Sequence, residues 1–221
     1  MYKTTEILDL THTIAADLFD GAEYPWEVLS NISSFILKLG ATLPAEEYDH
    51  PAEDVWIAKD AVVFDSAYIK GPCIIDHGAE VRHCAFIRGS AIVGKNAVVG
   101  NSTELKNVVL FDCVQVPHFN YVGDSVLGFR AHMGAGCITS NIKSDKKNVV
   151  IRCGGERLET GMRKFGAILG DCVEVGCNSV LNPGVIVCRN TNIYPLSSVR
   201  GVVCANSIFK DCNNIVVKNV D

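Results

Sequence analysis

The chain has 221 residues, 48% of them hydrophobic, with 20 basic against 25 acidic side chains and a formal net charge of −5. That suffices for one large domain with a buried core, and the acidic balance argues against general binding to nucleic acid or to an anionic membrane. No apolar run approaches the roughly 18 residues of a membrane helix, and Met1–Leu8 lacks the basic-then-apolar pattern of a secretory signal, so a cytoplasmic protein is expected.

Residues 1–52 read as a small helical cap and linker. Ile7, Leu10, Ile14 and Leu18 form one apolar stripe, and Leu29, Ile32, Ile36 and Leu39 form a second after Pro25-Trp26. The expected place for this segment is over the end of a solenoid formed by the remaining residues, because a terminal coil otherwise exposes its core and a sheet edge. The acidic stretch Pro44–Pro51 reads as the linker.

From residue 53 to 221 the pattern changes. An aliphatic residue returns every sixth position at Ile57, Val63, Ile69, Ile75, Val81, Ile87, Val93, Val99 and Leu105, and again at Leu169, Val175, Leu181, Val187, Ile193 and Val199. Four positions after each in the first run stands a mostly small residue: Ala61, Ala67, Cys73, Ala79, Ala85, Ala91, Ala97, Thr103. Neither a helix nor a flat strand generates a period of six, whereas each hexad fits one short strand plus a corner of a parallel β-helix. The aliphatic residues then fill a triangular prism and the small ones its corners.

The register slips in the middle. Inward positions run Leu105, Leu110, Val116, Val122, Leu127 and Met133, so two hexads are one residue short. A non-repeating excursion occupies about 140–166, in which Asn148–Cys153 and Glu156–Thr160 flank Gly154-Gly155 as a β-hairpin. The tail from Gly201 to Asp221 is expected to cap the last coil or to pack on a neighbour. The ten cysteines are scattered with no Cys-x-x-Cys pair, so they read as reduced, space-filling thiols rather than a disulfide or zinc framework.

This hexad pattern resembles the hexapeptide-repeat acyltransferases, which implies an all-β fold: a left-handed parallel β-helix. The densest polar stretches make the resemblance more specific: Gly100–Lys106, Val116-Pro-His-Phe-Asn-Tyr-Val-Gly-Asp124 and Met133–Asn141. They resemble the acetyltransferase half of the bifunctional N-acetylglucosamine-1-phosphate uridyltransferase/glucosamine-1-phosphate acetyltransferases, in their archaeal-type branch. The longer hairpin of that branch ends in an Arg-Lys-x-Gly-Ala-Ile motif, here Arg163–Ile168. The resemblance spans about residues 85–200.

The resemblance implies acetyl transfer from acetyl-CoA to the amino group of glucosamine-1-phosphate, galactosamine-1-phosphate or a close relative, in a homotrimer whose sites form between subunits. It implies no metal. His118 matches the family's base, which takes a proton from the attacking amine, a task suited to an imidazole near neutral pH. Tyr121 matches a tyrosine on the sugar phosphate, and Arg88 and Lys106 match cations that hold the phosphate. The last two are one coil apart and are expected to stack into one cationic patch. Asn141 matches an asparagine on the amino sugar. Lys147 and Lys164 each fit the further phosphate lysine, and the spacing leaves that choice open. Ala135 and Gly136, in Met133-Gly-Ala-Gly136, match the backbone that faces acetyl-CoA and whose N–H stabilises the oxyanion; Cys177 matches a position near its pantetheine arm.

The sequence departs from the family at His132, where the bacterial members have a substrate-side asparagine. It also lacks the nucleotidyltransferase half, so uridyl transfer is not expected. Two other readings compete. A β-helix also hosts zinc hydratases with three histidines, and His77, His83, His118 and His132 invite that comparison, but the His-x4-His pair of that class is absent. A non-catalytic trimer that keeps only the sugar pocket would need none of His118, Tyr121, Lys106, Arg88 and Asn141.

Overall fold

The computed structural model describes residues 2–218. It is a triangular parallel β-solenoid of about nine turns. Each coil carries three short strands. The first face stacks Val55–Ala58, Cys73–Ile75, Ala91–Val93 and their successors through Val202–Val203; the second runs from Val62–Val63 to Ser207–Asp211; the third runs from Tyr68–Ile69 to Ser198–Val199. Strands of successive coils pair in parallel and in register, with Ile75 beside Val93 and Val81 beside Val99.

The hexad reading holds residue by residue. Ile75, Val81, Ile87, Val93, Val99, Leu105, Leu169, Leu181, Val187 and Val199 are fully buried, as are the corner residues Cys73, Ala79, Ala91, Ala97 and Thr103. Only the first coil, Ile57, Val63 and Ile69, is half-exposed. Corners turn through left-handed residues, often asparagine, as at Asn96, Asn178 and Asn190. Coils approach so closely at Gly100 that a β-carbon there would overlap the Pro117 carbonyl. Gly100→Ala is therefore expected to destabilise the protein by about 1–3 kcal/mol, read as a lower midpoint in urea unfolding.

The two short hexads have a structural cause. Glu104–Leu110 and Tyr121–Leu127 are continuous seven-residue strands that bend from the third face to the first at one left-handed residue, Asn107 and Asp124 respectively. Other coils spend a residue more at that corner.

The N-terminal segment departs from expectation in place. It contains a helix at Ile32–Gly40 and short single-turn pieces before it, but lies along the flank of the solenoid rather than over its end. It covers the first face, whose outward residues Ile74, Ile92, Val109, Val126, Ile168 and Ile186 are all fully buried. Ile7 and Leu8 seat against Gly170 and Gly128, where any β-carbon would collide with them. Asp171 accepts the backbone N–H of Asp9 (2.8 Å) and of Phe129 (2.9 Å), tying the segment down. Part of the expected linker is also a strand: Tyr48–Ala52 pairs antiparallel with Val55–Ala58, and the Tyr48 hydroxyl donates to the buried Asp76 (2.6 Å). Burial, with Asp76 beside it, pushes the Tyr48 phenol up, so it stays protonated as that donor.

The excursion is the expected hairpin, Val150–Cys153 against Glu156–Glu159, closed by Gly154 and Gly155 at positive φ. Its buried Val149 and Ile151 dock it on Gly184 of a later coil. The tail adds Val202–Val203 to the first face and ends in a hairpin, Ser207–Asp211 against Asn214–Val217; its last three residues, 219–221, lie outside the described residues. All ten cysteines are free thiols. Only Cys73, Cys137 and Cys188 are buried space-fillers; Cys84, Cys177 and Cys204 are exposed on the outer side of solenoid corners, and Cys212 in the turn of the terminal hairpin.

Candidate functional site

The candidate residues gather at the two edges of the third face. At the corner between second and third faces, each coil accepts a backbone bond from the next: Phe119 N–H to Asn101 O (2.9 Å), Gly136 N–H to His118 O (3.0 Å), Asn178 N–H to Ala135 O (2.8 Å), Leu196 N–H to Cys177 O (2.9 Å). His118, Ala135 and Cys177 therefore occupy equivalent slots on consecutive coils, separated by about 4.8 Å per step. The His118 side chain is exposed and has no hydrogen-bond or ionic partner among the described residues. Its backbone is fixed by Asn120, whose amide oxygen takes the His118 N–H (3.1 Å) while its nitrogen donates to Gly134 O (2.9 Å). Phe119, next along, is held at φ 51° although 62% exposed. That backbone belongs to the corner slot itself, which Ser102, Gly136, Asn178 and Leu196 fill on other coils, all at positive φ.

In the Gly134–Gly136 loop, Gly134 N–H bonds Val175 O and Gly136 N–H bonds His118 O. Ala135 N–H has no partner among the described residues. The loop thus has one backbone donor left over for an oxyanion.

At the other edge, between third and first faces, Arg88 and Lys106 stack in register as expected, since Ile87 pairs with Leu105. They do not form a bare cationic patch. Arg88 bonds Glu104 (2.8 Å), and Lys106 Nζ grips both oxygens of Asp124 (2.8 and 3.1 Å). Asp124 is the residue that sequence reasoning missed. Its carboxylate is 3% exposed and also accepts from Asn107 Nδ2 (3.0 Å) and Asn141 Nδ2. Asn141 in turn donates to Tyr121 Oη (3.2 Å), which leaves the phenolic O–H free to donate outward. Burial, then Asp124 and Glu104, push the Tyr121 phenol up, so it remains a donor at neutral pH.

The structure separates the two lysines whose roles the spacing left open. Lys164 forms an isolated bridge with Ile142, and Phe165 N–H bonds Asn141 O (2.9 Å), so its backbone is fixed beside the Asn141 network. Lys147 lies in the exposed turn capped by Asp145. His132 is not brought to Tyr121 and Asn141 either: it lies outward on the second face, its Nδ1 2.7 Å from Glu174, in a groove with Cys177, Tyr194 and Pro195. His77 contacts Asp60 and Glu47, and His83 lies against Phe64. Among the described residues, no three His, Cys, Asp or Glu side chains gather to hold a metal ion.

A model of the GMPPB C-terminal domain matches residues 69–195, more than half the chain. The chain belongs to the GMPPB C-terminal domain family. The match covers the coils that carry both edges of this site. A bifunctional sugar-1-phosphate nucleotidylyltransferase/acetyltransferase of Sulfurisphaera tokodaii is 37% identical over 109 residues, 49% of this chain and 27% of that protein. The bifunctional protein GlmU of Methanococcus maripaludis is 39% identical over 93 residues, 42% of this chain and 22% of that protein. The chain thus spans about a quarter of the length of these relatives. A putative acetyltransferase of Escherichia coli, YaiX, is 30% identical over 147 residues, 66% of this chain and 64% of its own. Among solved structures, the acetyltransferase domain of PglB from Neisseria gonorrhoeae aligns at 19% identity and a TM-score of 0.31, over 72% of this chain and 59% of that one. Direct comparison therefore finds the same resemblance as the residues do, to the bifunctional sugar-1-phosphate enzymes.

Proposed function

We propose that this member of the GMPPB C-terminal domain family is an acetyl-CoA-dependent N-acetyltransferase acting on an amino-sugar 1-phosphate. The observation that carries the reading is the corner column: an unencumbered imidazole at His118, one coil from the spare Ala135 N–H and in line with Cys177. The Lys106–Asp124–Asn141–Tyr121 network at the far edge of the same face supplies the acceptor side. The names of the relatives above, which include acetyltransferases, support the same chemistry. Nucleotidyl transfer is not part of the proposal.

Acetyl-CoA supplies the activated acetyl group, running along the corner past Gly136 and Cys177. The amine nitrogen bonds to the acetyl carbonyl carbon, the carbonyl oxygen takes negative charge against Ala135 N–H, and the thioester C–S bond breaks. His118 removes the proton from nitrogen and returns it to the departing thiolate, so no covalent enzyme species is needed. Tyr121 and Asn141 orient the sugar. Arg88 binds the phosphate by exchanging its exposed bond to Glu104, worth about 0–1 kcal/mol, for a charge-assisted fork. Lys164 approaches from the hairpin; Lys106, held by Asp124, keeps its remaining N–H for the ligand.

The subunit arrangement proposed is a homotrimer. The first face is already covered, while the third carries exposed Tyr68, Phe86 and Ile138, flanked by Phe119 and Leu196 at its corner. Packing through that face brings the two edges of the site to a subunit boundary.

The test is release of free CoA from acetyl-CoA with glucosamine-1-phosphate, with galactosamine-1-phosphate and with no acceptor. Acceptor-dependent release is expected; a folded protein that releases none with either would refute the reading. Arg88→Ala is expected to raise KM for the phosphorylated sugar at least tenfold while leaving the melting temperature within a degree or two, since the Glu104 pair is exposed. An equal effect on the unphosphorylated amino sugar would remove Arg88 from phosphate binding.

A further inference from the structure

The hairpin stands off the solenoid by a groove that the proposed chemistry does not use. Two adjoining cavities of about 310 and 420 Å³ share Lys143, Asn182, Pro183 and Arg200 as walls. Ser140 and Ile142 line the inner end, on either side of Asn141, and Arg152 and Arg157 line the outer end. Four cations thus face one channel in a chain whose net charge is −5.

Their acids are too few. Lys143 has Asp145 (3.1 Å) and Arg157 has Glu159 (2.6 Å). Glu156 lies at the far outer margin, with Arg152, Gly155 and Arg157. Arg152 and Arg200 have no ionic partner among the described residues. Arg152 and Arg157 are also directly opposed across the antiparallel hairpin. Like charges opposed on neighbouring strands destabilise the pair unless an anion lies between them. A guanidinium is a planar fork suited to two oxygens of one phosphate, and three of them along a channel suit more than one phosphate. The cavity volumes fall in the range of small-ligand sites.

We propose that this groove binds the diphosphate of a nucleotide-bearing ligand, with Arg152 and Arg200 as its principal contacts. The groove opens beside Asn141, so a ligand whose sugar lies on the Tyr121–Asn141 network has its phosphates and nucleoside directed into it. On the proposed function, that admits a nucleoside-diphosphate-linked amino sugar as a further acceptor of the same site, beside the free 1-phosphate. The same diphosphate chemistry occurs in CoA, and the two sources are separable by experiment.

The experiment is calorimetric titration of the protein with inorganic pyrophosphate, UDP and CoA, compared with the Arg152→Gln/Arg200→Gln variant and with Arg200→Glu alone. Both arginines are exposed, so the melting temperature should not move. Pyrophosphate and UDP are expected to bind the wild type and to weaken at least tenfold in either variant, with CoA binding unchanged. Loss of CoA binding in the same variants, with UDP displaced by CoA, would keep the diphosphate site and assign it to CoA. Failure of pyrophosphate and UDP to bind, or equal binding by the variants, would overturn the proposal. Because the readout is binding, a protein that fails to transfer acetyl still tests it.

Discussion

His118→Ala should lower acetyl transfer by roughly 10²–10⁴-fold, the usual contribution of a positioned proton acceptor, while leaving the melting temperature unchanged. The second half of that expectation comes from the geometry. The imidazole is exposed and has no bonding partner among the described residues, so its removal opens no cavity and orphans no partner among them; what the fold uses at position 118 is its backbone, bonded to Asn120 and Gly136. The loss should fall in kcat more than in KM, because the proton is taken only as the C–N bond forms. Full activity in the alanine variant would remove His118 from the reaction.

Asp124→Ala should have the opposite signature, a large loss of stability together with loss of acceptor binding. The carboxylate is buried and satisfies three donors, Lys106, Asn107 and Asn141. Removing one partner of a buried pair leaves the ammonium uncompensated, which costs about 3–5 kcal/mol; Lys106 is 27% exposed, which favours the lower end. About 3 kcal/mol in a chain of this length lowers the melting temperature by roughly 6–12 °C. Asp124→Asn keeps the volume and one acceptor oxygen and should lose less than half as much stability, yet still release Lys106. A melting temperature unmoved by the alanine substitution would show that the carboxylate does not organise this edge.

The solenoid was legible because its signal is additive: each hexad repeats the same inward aliphatic residue and small corner, and the burial of Ile75, Val81, Ile87 and their successors is the direct result. The hairpin was legible through Gly154-Gly155. The position of the N-terminal segment was not, since its short irregular turns carry no period that points to a face. A trace was present in the outward slots of the first face: Ile74, Ile92, Ile168 and Ile186 stand where the second face has Glu80, Gln115 and Glu174, which only a covering segment explains. At the candidate site, His118, Tyr121, Lys106 and Asn141 were singled out through resemblance, whereas Asp124 was passed over. The clue to it lay in the register slip itself. Each of the two short hexads contains one residue of a bonded pair, the half-buried Asn107 and the buried Asp124, because a corner made by a single left-handed residue tucks its side chain against the neighbouring coil.

A stack whose layers touch only adjacent layers melts piecemeal, from whichever end loosens first. The segment lying lengthwise on the first face changes that behaviour. It is fastened at Asp76 by Tyr48, at Asn107 by the Leu29 carbonyl, at the Asp112 N–H by the His12 carbonyl and at Asp171 by the Asp9 N–H. These are points spread over nearly a hundred residues of winding. Loosening one layer therefore strains a strap shared with distant ones, and the molecule behaves less like a column of coins than like a bound book. Amide exchange in the interior layers should accordingly proceed at one common rate rather than in a gradient from the ends.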